Sequence, residues 1–256
     1  MLTTDFVTGS PNWIDLGSPD TGAAAAFYGA VFGWEFESAG PHAGGYGFFT
    51  RQGRPVAALG PLTEEGARSA WTVYFHSEDA EATTKLTEQH GGTVRVAPGD
   101  VMDQGRLAGL TDPSGAEFAL WQPGAMRGLA ETSSEHTLLW VELHTTDPAA
   151  AVDFYRAVLG WVAKPFSDPT MGYTVLAPGE RPEEAFGGIT QHGAEHGSSW
   201  NPYFAASDVA AVADRVLAAG GTVPMPPTDI PGVGRMCWLT DPFGADFAVL
   251  RGDPSH

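Results

Sequence analysis

A single cysteine, Cys237, stands in 256 residues, so no internal disulfide can form. Basic residues are also scarce: thirteen Lys and Arg face thirty-one Asp and Glu, a net charge of −18. That balance disfavours nucleic acid and anionic membranes as partners. It favours solubility and attracts cationic small ligands. No apolar run is long enough to cross a membrane, and the N-terminal MLTTDFVTGSPNW is too polar and short for a secretory signal, so a cytoplasmic location is expected. Walker loops, dinucleotide-binding glycine patterns and serine elbows are absent, which leaves nucleotide and serine-hydrolase chemistry without support. Cys237, within the apolar RMCWL, reads as buried packing rather than a nucleophile.

What the chain does contain is a repeat. WIDLGSPDTGAAAAFYGAVFGW from Trp13 returns as WVELHTTDPAAAVDFYRAVLGW from Trp140. WTVYFHSEDAEATTKLTEQHGGTV from Trp71 matches WNPYFAASDVAAVADRVLAAGGTV from Trp200, and GRLAGLTDPSGAEFALWQ from Gly105 matches GRMCWLTDPFGADFAVLR from Gly234. A steady register through three blocks marks a duplication. Two modules are expected, 8–122 and 137–252, joined by a polar linker at 123–136.

Each module has a shorter rhythm: an alternating strand, an Asp, a helix, a Gly-rich turn and further strands. Asp147 sits at an N-cap with Pro148 in the first turn, and Asp79 and Asp208 precede helices that stop at Gly91-Gly92 and Gly220-Gly221. The pattern predicts an α+β protein with two βαβββ units per module, forming curled, mainly antiparallel sheets with outer helices.

The strand–Asp–helix start, the FYxxxxGW helix and the late DPxG turn resemble the vicinal oxygen chelate superfamily. That group includes glyoxalase I, extradiol dioxygenases, fosfomycin-resistance enzymes and bleomycin-binding proteins. The resemblance covers both modules and looks nearest to two-module, glyoxalase-like members. It implies a cup in each sheet that, in metal-using members, holds a divalent ion. The corresponding ligand positions carry Trp13, Thr72 and Ala119 in the first module and Trp140, Asn201 and Ala248 in the second. Trp and Ala cannot ligate, and Thr and Asn are poor anchors, so no cofactor is expected at the family's usual positions.

Strand alternation places other side chains on the cup faces. The expected ligand-binding residues are Trp13, Asp15, Tyr74, His76, Glu117, Trp121, Trp140, Tyr203 and Asp246. The tryptophans either plug the cups or stack a flat or cationic ligand. The acids either form a solvated rim, paired with Arg106 or Arg235, or include one desolvated general acid or base. Glu142 and His144, two apart on one strand face, are the candidate catalytic pair; a non-standard metal site including them is a weaker alternative. His192 and His196, in QHGAEHG, are expected to face solvent. The sequence thus favours a binder of a hydrophobic or cationic aromatic small molecule, acting as monomer or homodimer. The alternative is a glyoxalase-like lyase, isomerase or hydroxylase-type enzyme that uses Glu142 and His144.

Overall fold

A computed structural model of the chain describes residues 2–63, 66–193 and 197–253. The first module runs β1 (Pro11–Ser18), α1 (Thr21–Phe32), β2 (Glu35–Ser38), β3 (Gly47–Arg51) and β4 (Arg54–Pro61). It continues with β5 (Ala70–His76), α2 (Ala80–Gln89), β6 (Thr93–Val101), β7 (Gly105–Thr111) and β8 (Glu117–Pro123). The second module repeats the order. Its first half is β9 (Leu138–Thr145), α3 (Pro148–Leu159), β10 (Val162–Pro165), β11 (Thr174–Ala177) and β12 (Gly187–Gln191). Its second half is β13 (Ser199–Ala205), α4 (Val209–Ala218), β14 (Thr222–Ile230), β15 (Gly234–Thr240) and β16 (Asp246–Gly252). The expected α+β class holds: each module forms one eight-stranded mixed sheet, ordered β2-β3-β4-β1-β5-β8-β7-β6 and β10-β11-β12-β9-β13-β16-β15-β14.

The helices begin where short acidic side chains satisfy orphan amides. Asp20, Asp79, Asp147 and Asp208 each accept from the amide three residues on, at 2.9–3.0 Å. Gly33 and Gly160 end α1 and α3 in the left-handed conformation, at φ 73° and 70°, as the GW pairs require.

Packing divides the chain into two compact units, each built from parts of both modules. The first holds residues 1–13, 72–128 and 140–201; the second holds 14–71, 129–139 and 202–256. In the first unit α2 packs on α3, and in the second α1 packs on α4. The repeated motifs explain this pairing. In the first unit Tyr155, fully buried, donates its hydroxyl to Asp112 at 3.1 Å and accepts from the Trp200 indole at 2.8 Å. In the second, Tyr28 meets Asp241 at 3.3 Å and Trp71 at 3.1 Å. Each phenol is pushed well above its ordinary range, first by burial and then by the facing carboxylate. The tyrosine of FYxxxxGW is therefore a structural clasp onto the aspartate of the other module's TDPxG turn.

Close packing, in which the preceding phenylalanine takes part, explains the second glycine of each Gly-Gly pair. A Cβ on Gly92 would lie 3.2 Å from the Phe154 ring, and one on Gly221 3.1 Å from Phe27. The Gly92 Cβ would also meet the Thr111 carbonyl at 2.7 Å and the Thr87 methyl at 2.6 Å. Gly92→Ala is expected to cost about 2–3 kcal/mol through overpacking, read from the urea midpoint.

The tryptophan of each GW clamps a lead-in segment. Trp161 donates to the Gly9 carbonyl at 2.8 Å in the first unit, and Trp34 to the His136 carbonyl at 3.0 Å in the second. Gly9 and His136 stand 127 residues apart and both adopt positive φ, 82° and 59°. The stretch expected as a linker is thus anchored. Its Glu131 pairs with Arg51 at 3.2 Å, and the His136 imidazole meets the Phe32 carbonyl at 2.9 Å.

Candidate functional site

In the first unit β9 lies beside β12 in parallel register, with Glu142 opposite Gly188 and His144 opposite Thr190. Alternation turns Trp140, Glu142 and His144 to one face, while Val141 and Leu143 are fully buried on the other. Glu142 is itself nearly buried, at 9% exposure, and its Oε1 lies 2.8 Å from His144 Nε2. Such a carboxylate requires donors, and the Tyr173 hydroxyl lies against Gly188, the residue opposite it. Tyr173 in turn accepts from the Trp140 indole at 2.8 Å. Burial, then the Glu142 charge, pushes the Tyr173 phenol well above its ordinary range, so it stays protonated and donating.

His192 completes the group. Its amide bonds the Thr145 carbonyl at 2.8 Å, where β12 ends beside β9. This pins its imidazole against His144, with ring centroids 4.7 Å apart and an edge-on angle of 68°. The expectation that His192 faces solvent is corrected: the backbone bond folds it back, half-buried, onto His144. His196 lies outside the described residues.

The other candidates are scattered. In the first unit Tyr74 neighbours Ala119 and His76 neighbours Trp121 in the β5–β8 ladder. Trp13 and Trp121 are buried, at 4% and 6%, and the Trp121 indole donates to the Met126 carbonyl at 2.9 Å. Burial lowers the His76 imidazole, opposed by the charges of Glu78 and Glu180. Glu117 is exposed and pairs with Arg95 at 2.7 Å. In the second unit Asp15 is half-buried, Tyr203 is buried against Trp238, and exposed Asp246 accepts from Thr240 at 2.6 Å. Arg106 and Arg235 pair with Asp100 and Asp229, not with the candidate acids. Cys237 is buried packing, its thiol pushed up to about 11 by burial.

Tyr173 and Gly188 were not among the expected residues. For Tyr173 the repeat carries the signal, since Tyr46 stands 127 residues before it; the position matching Gly188 holds Ala58.

The positions at which the fold's metal-using members ligate do not fit an ion here. The Trp140 indole N–H is a donor already given to Tyr173, and the Asn201 amide donates to Ser199 Oγ at 3.1 Å. Ala119 and Ala248 are buried methyl groups. Among the described residues no three His, Cys, Asp or Glu side chains converge on a point suited to a metal.

Comparison with known proteins shows the family and the fold. The family model described as glyoxalase/bleomycin resistance protein/dioxygenase superfamily matches residues 10–120 and 137–249. The anthracycline biosynthesis protein DnrV of Streptomyces peucetius is 39% identical over 97% of this chain and 95% of its own length. Solved structures share the fold at lower identity. The 2,3-dioxygenase LapB from Pseudomonas sp. KL28 aligns with TM-score 0.62, at 16% identity, over 97% of this chain and 96% of its own. The Mn(II)-bound glyoxalase from Novosphingobium aromaticivorans aligns with TM-score 0.62, at 19% identity, over 96% and 83%.

Proposed function

The chain belongs to the glyoxalase/bleomycin resistance/dioxygenase superfamily, and from that premise we propose that it binds an aromatic small molecule beside Trp140 and moves a proton with His144, without a metal at the family's positions. One observation carries this reading: the 2.8 Å contact between nearly buried Glu142 and His144 Nε2. With the Nε2 proton given to Glu142, the imidazole lone pair lies on Nδ1, which makes His144 a base oriented by a carboxylate. The step this supports is removal of a proton from a carbon or oxygen of the ligand and its return elsewhere. That is the chemistry of an isomerase or lyase. Glu142 stabilises the imidazolium formed on the way.

A second reading, binding without turnover, is favoured by the half-exposed Trp140 indole, a stacking face beside an acidic group. The relative named for anthracycline biosynthesis agrees with a flat polycyclic ligand under either reading. Calorimetric titration with a ketone-bearing anthracycline tests the site. Saturable binding is expected, weakened about tenfold or more in Trp140→Ala, since a lost aromatic contact is worth about that much. Equal affinity of wild type, Trp140→Ala and Glu142→Gln would exclude this face as the binding site.

A further inference from the structure

We propose that Tyr173 is the positioning residue of this site and that Gly188 is the residue that seats it; the proposal rests on the acid–base reading of Glu142 and His144. Three observations converge. The Tyr173 hydroxyl accepts from Trp140 at 2.8 Å and lies against Gly188, the residue opposite Glu142, whose carboxylate is 2.8 Å from His144 Nε2, so Tyr173 stands between Trp140 and the Glu142–His144 pair. A phenol that receives one proton and gives another has a fixed direction. The Trp140 indole can only donate, which leaves the Tyr173 proton for Glu142 alone.

The second observation is steric. A Cβ built on Gly188 would lie 2.1 Å from the Tyr173 hydroxyl oxygen and 2.2 Å from its ring carbon. No other residue leaves room for the ring, so Gly188 sets how deep Tyr173 sits beside Glu142. Gly188 has no positive φ to explain its identity; close approach is the reason it is glycine.

The third observation is a control inside the chain. In the second unit a Cβ on Gly60 would lie 2.8 Å from the Tyr46 ring. Gly60, however, lies opposite Gly17, whereas Gly188 lies opposite Glu142, so the first copy's tyrosine is seated two residues further along its strand pair. The residues equivalent to Glu142 and His144 there are Asp15 and Gly17, and Ala58 stands opposite Asp15, so that copy has neither a glycine seat beside its acid nor the imidazole. The tyrosine's consequence for chemistry is confined to the second copy.

With Tyr173 in place, the Glu142 carboxylate has a phenol beside it while its Oε1 meets His144 Nε2. Without it, the carboxylate loses a donor and its orientation is no longer fixed. His144 then keeps its composition but loses its alignment.

The test uses the full-length protein labelled with ¹⁵N-histidine and reads the His144 Nε2–H resonance, assigned by its disappearance in His144→Gln. The wild-type proton is expected downfield and slowly exchanging. In Tyr173→Phe its exchange with solvent is expected to rise about tenfold, the equivalent of one ordinary hydrogen bond. Gly188→Ala is expected to do the same while keeping the tyrosine, so it decides the matter should Tyr173→Phe fail to fold. Tyr46→Phe is expected to leave the resonance unchanged. Unaltered exchange in folded Tyr173→Phe or Gly188→Ala overturns the proposal, as does an equal effect of Tyr46→Phe. The resonance needs no substrate. A shift in it without any wild-type turnover would sink the acid–base reading and leave the positioning role standing.

Discussion

Asp241→Ala is expected to destabilise the protein by about 3–5 kcal/mol, the range for stranding several buried donors at once. Asp241 Oδ1 accepts from the amides of Phe243 at 2.8 Å and Ala245 at 2.9 Å, and Oδ2 from Tyr28. One carboxylate thus shapes the TDPFG turn and holds the second unit's buried tyrosine. Asp112 does the same in the first unit, accepting from Ser114 at 2.8 Å, Ala116 at 2.9 Å and Tyr155 at 3.1 Å. Asp112→Ala is expected to cost a similar amount. Denaturant midpoints with unchanged slopes measure both, and losses below about 1 kcal/mol would contradict the clasp.

The pH dependence at Asp241 has a definite sign. Burial raises its carboxyl above the unfolded value, against the hydrogen bonds from Ala245, Phe243 and Tyr28. Its contribution to stability is therefore complete below the unfolded value, about 3.9, and is lost as pH rises through the folded one. The ionised form is the costly one. Asp241→Asn, which keeps an acceptor for the turn amides, is expected to lie within about 1 kcal/mol of wild type at pH 7.

The second large effect is chemical. His144→Gln is expected to slow proton transfer about a hundred- to ten-thousand-fold, the usual contribution of a positioned general base. Glutamine retains a polar group of similar reach but offers no basic nitrogen. Glu142→Gln keeps the size of its side chain and loses the charge that orients and stabilises the imidazolium; a smaller loss in the same direction is expected. The assay is deuterium incorporation from heavy water into the α-position of a ketone-bearing anthracycline, followed by mass spectrometry. Equal rates for wild type and His144→Gln would remove His144 from the chemistry.

Much of this was legible in the sequence because the chain is written twice. Period-two alternation put Trp140, Glu142 and His144 on one strand face, and the Asp and Gly punctuation placed the four helices. What lay hidden was tertiary. Nothing local in FYGAVFGW tells that its tyrosine meets Asp241, more than two hundred residues away, or that its tryptophan clamps the His136 carbonyl. His192 looked solvent-facing because GAEHG is a loop composition; one backbone bond to Thr145 reverses that. Tyr173 was overlooked because it precedes a short strand, although Tyr46 marks the same position in the first copy. The acids Glu117 and Asp246 share the alternation of Glu142 yet begin their strands, where solvent, Arg95 or Thr240 meets them.

The Glu142–His144 pair is expected to transfer a proton without a bound ion. The most direct measurement is the deuterium incorporation rate of chelator-treated protein whose metal content, by inductively coupled plasma mass spectrometry, is well below one ion per chain. Undiminished incorporation that disappears in His144→Gln is the result expected. Incorporation that vanishes on chelation and returns with zinc, nickel, manganese or iron would contradict it.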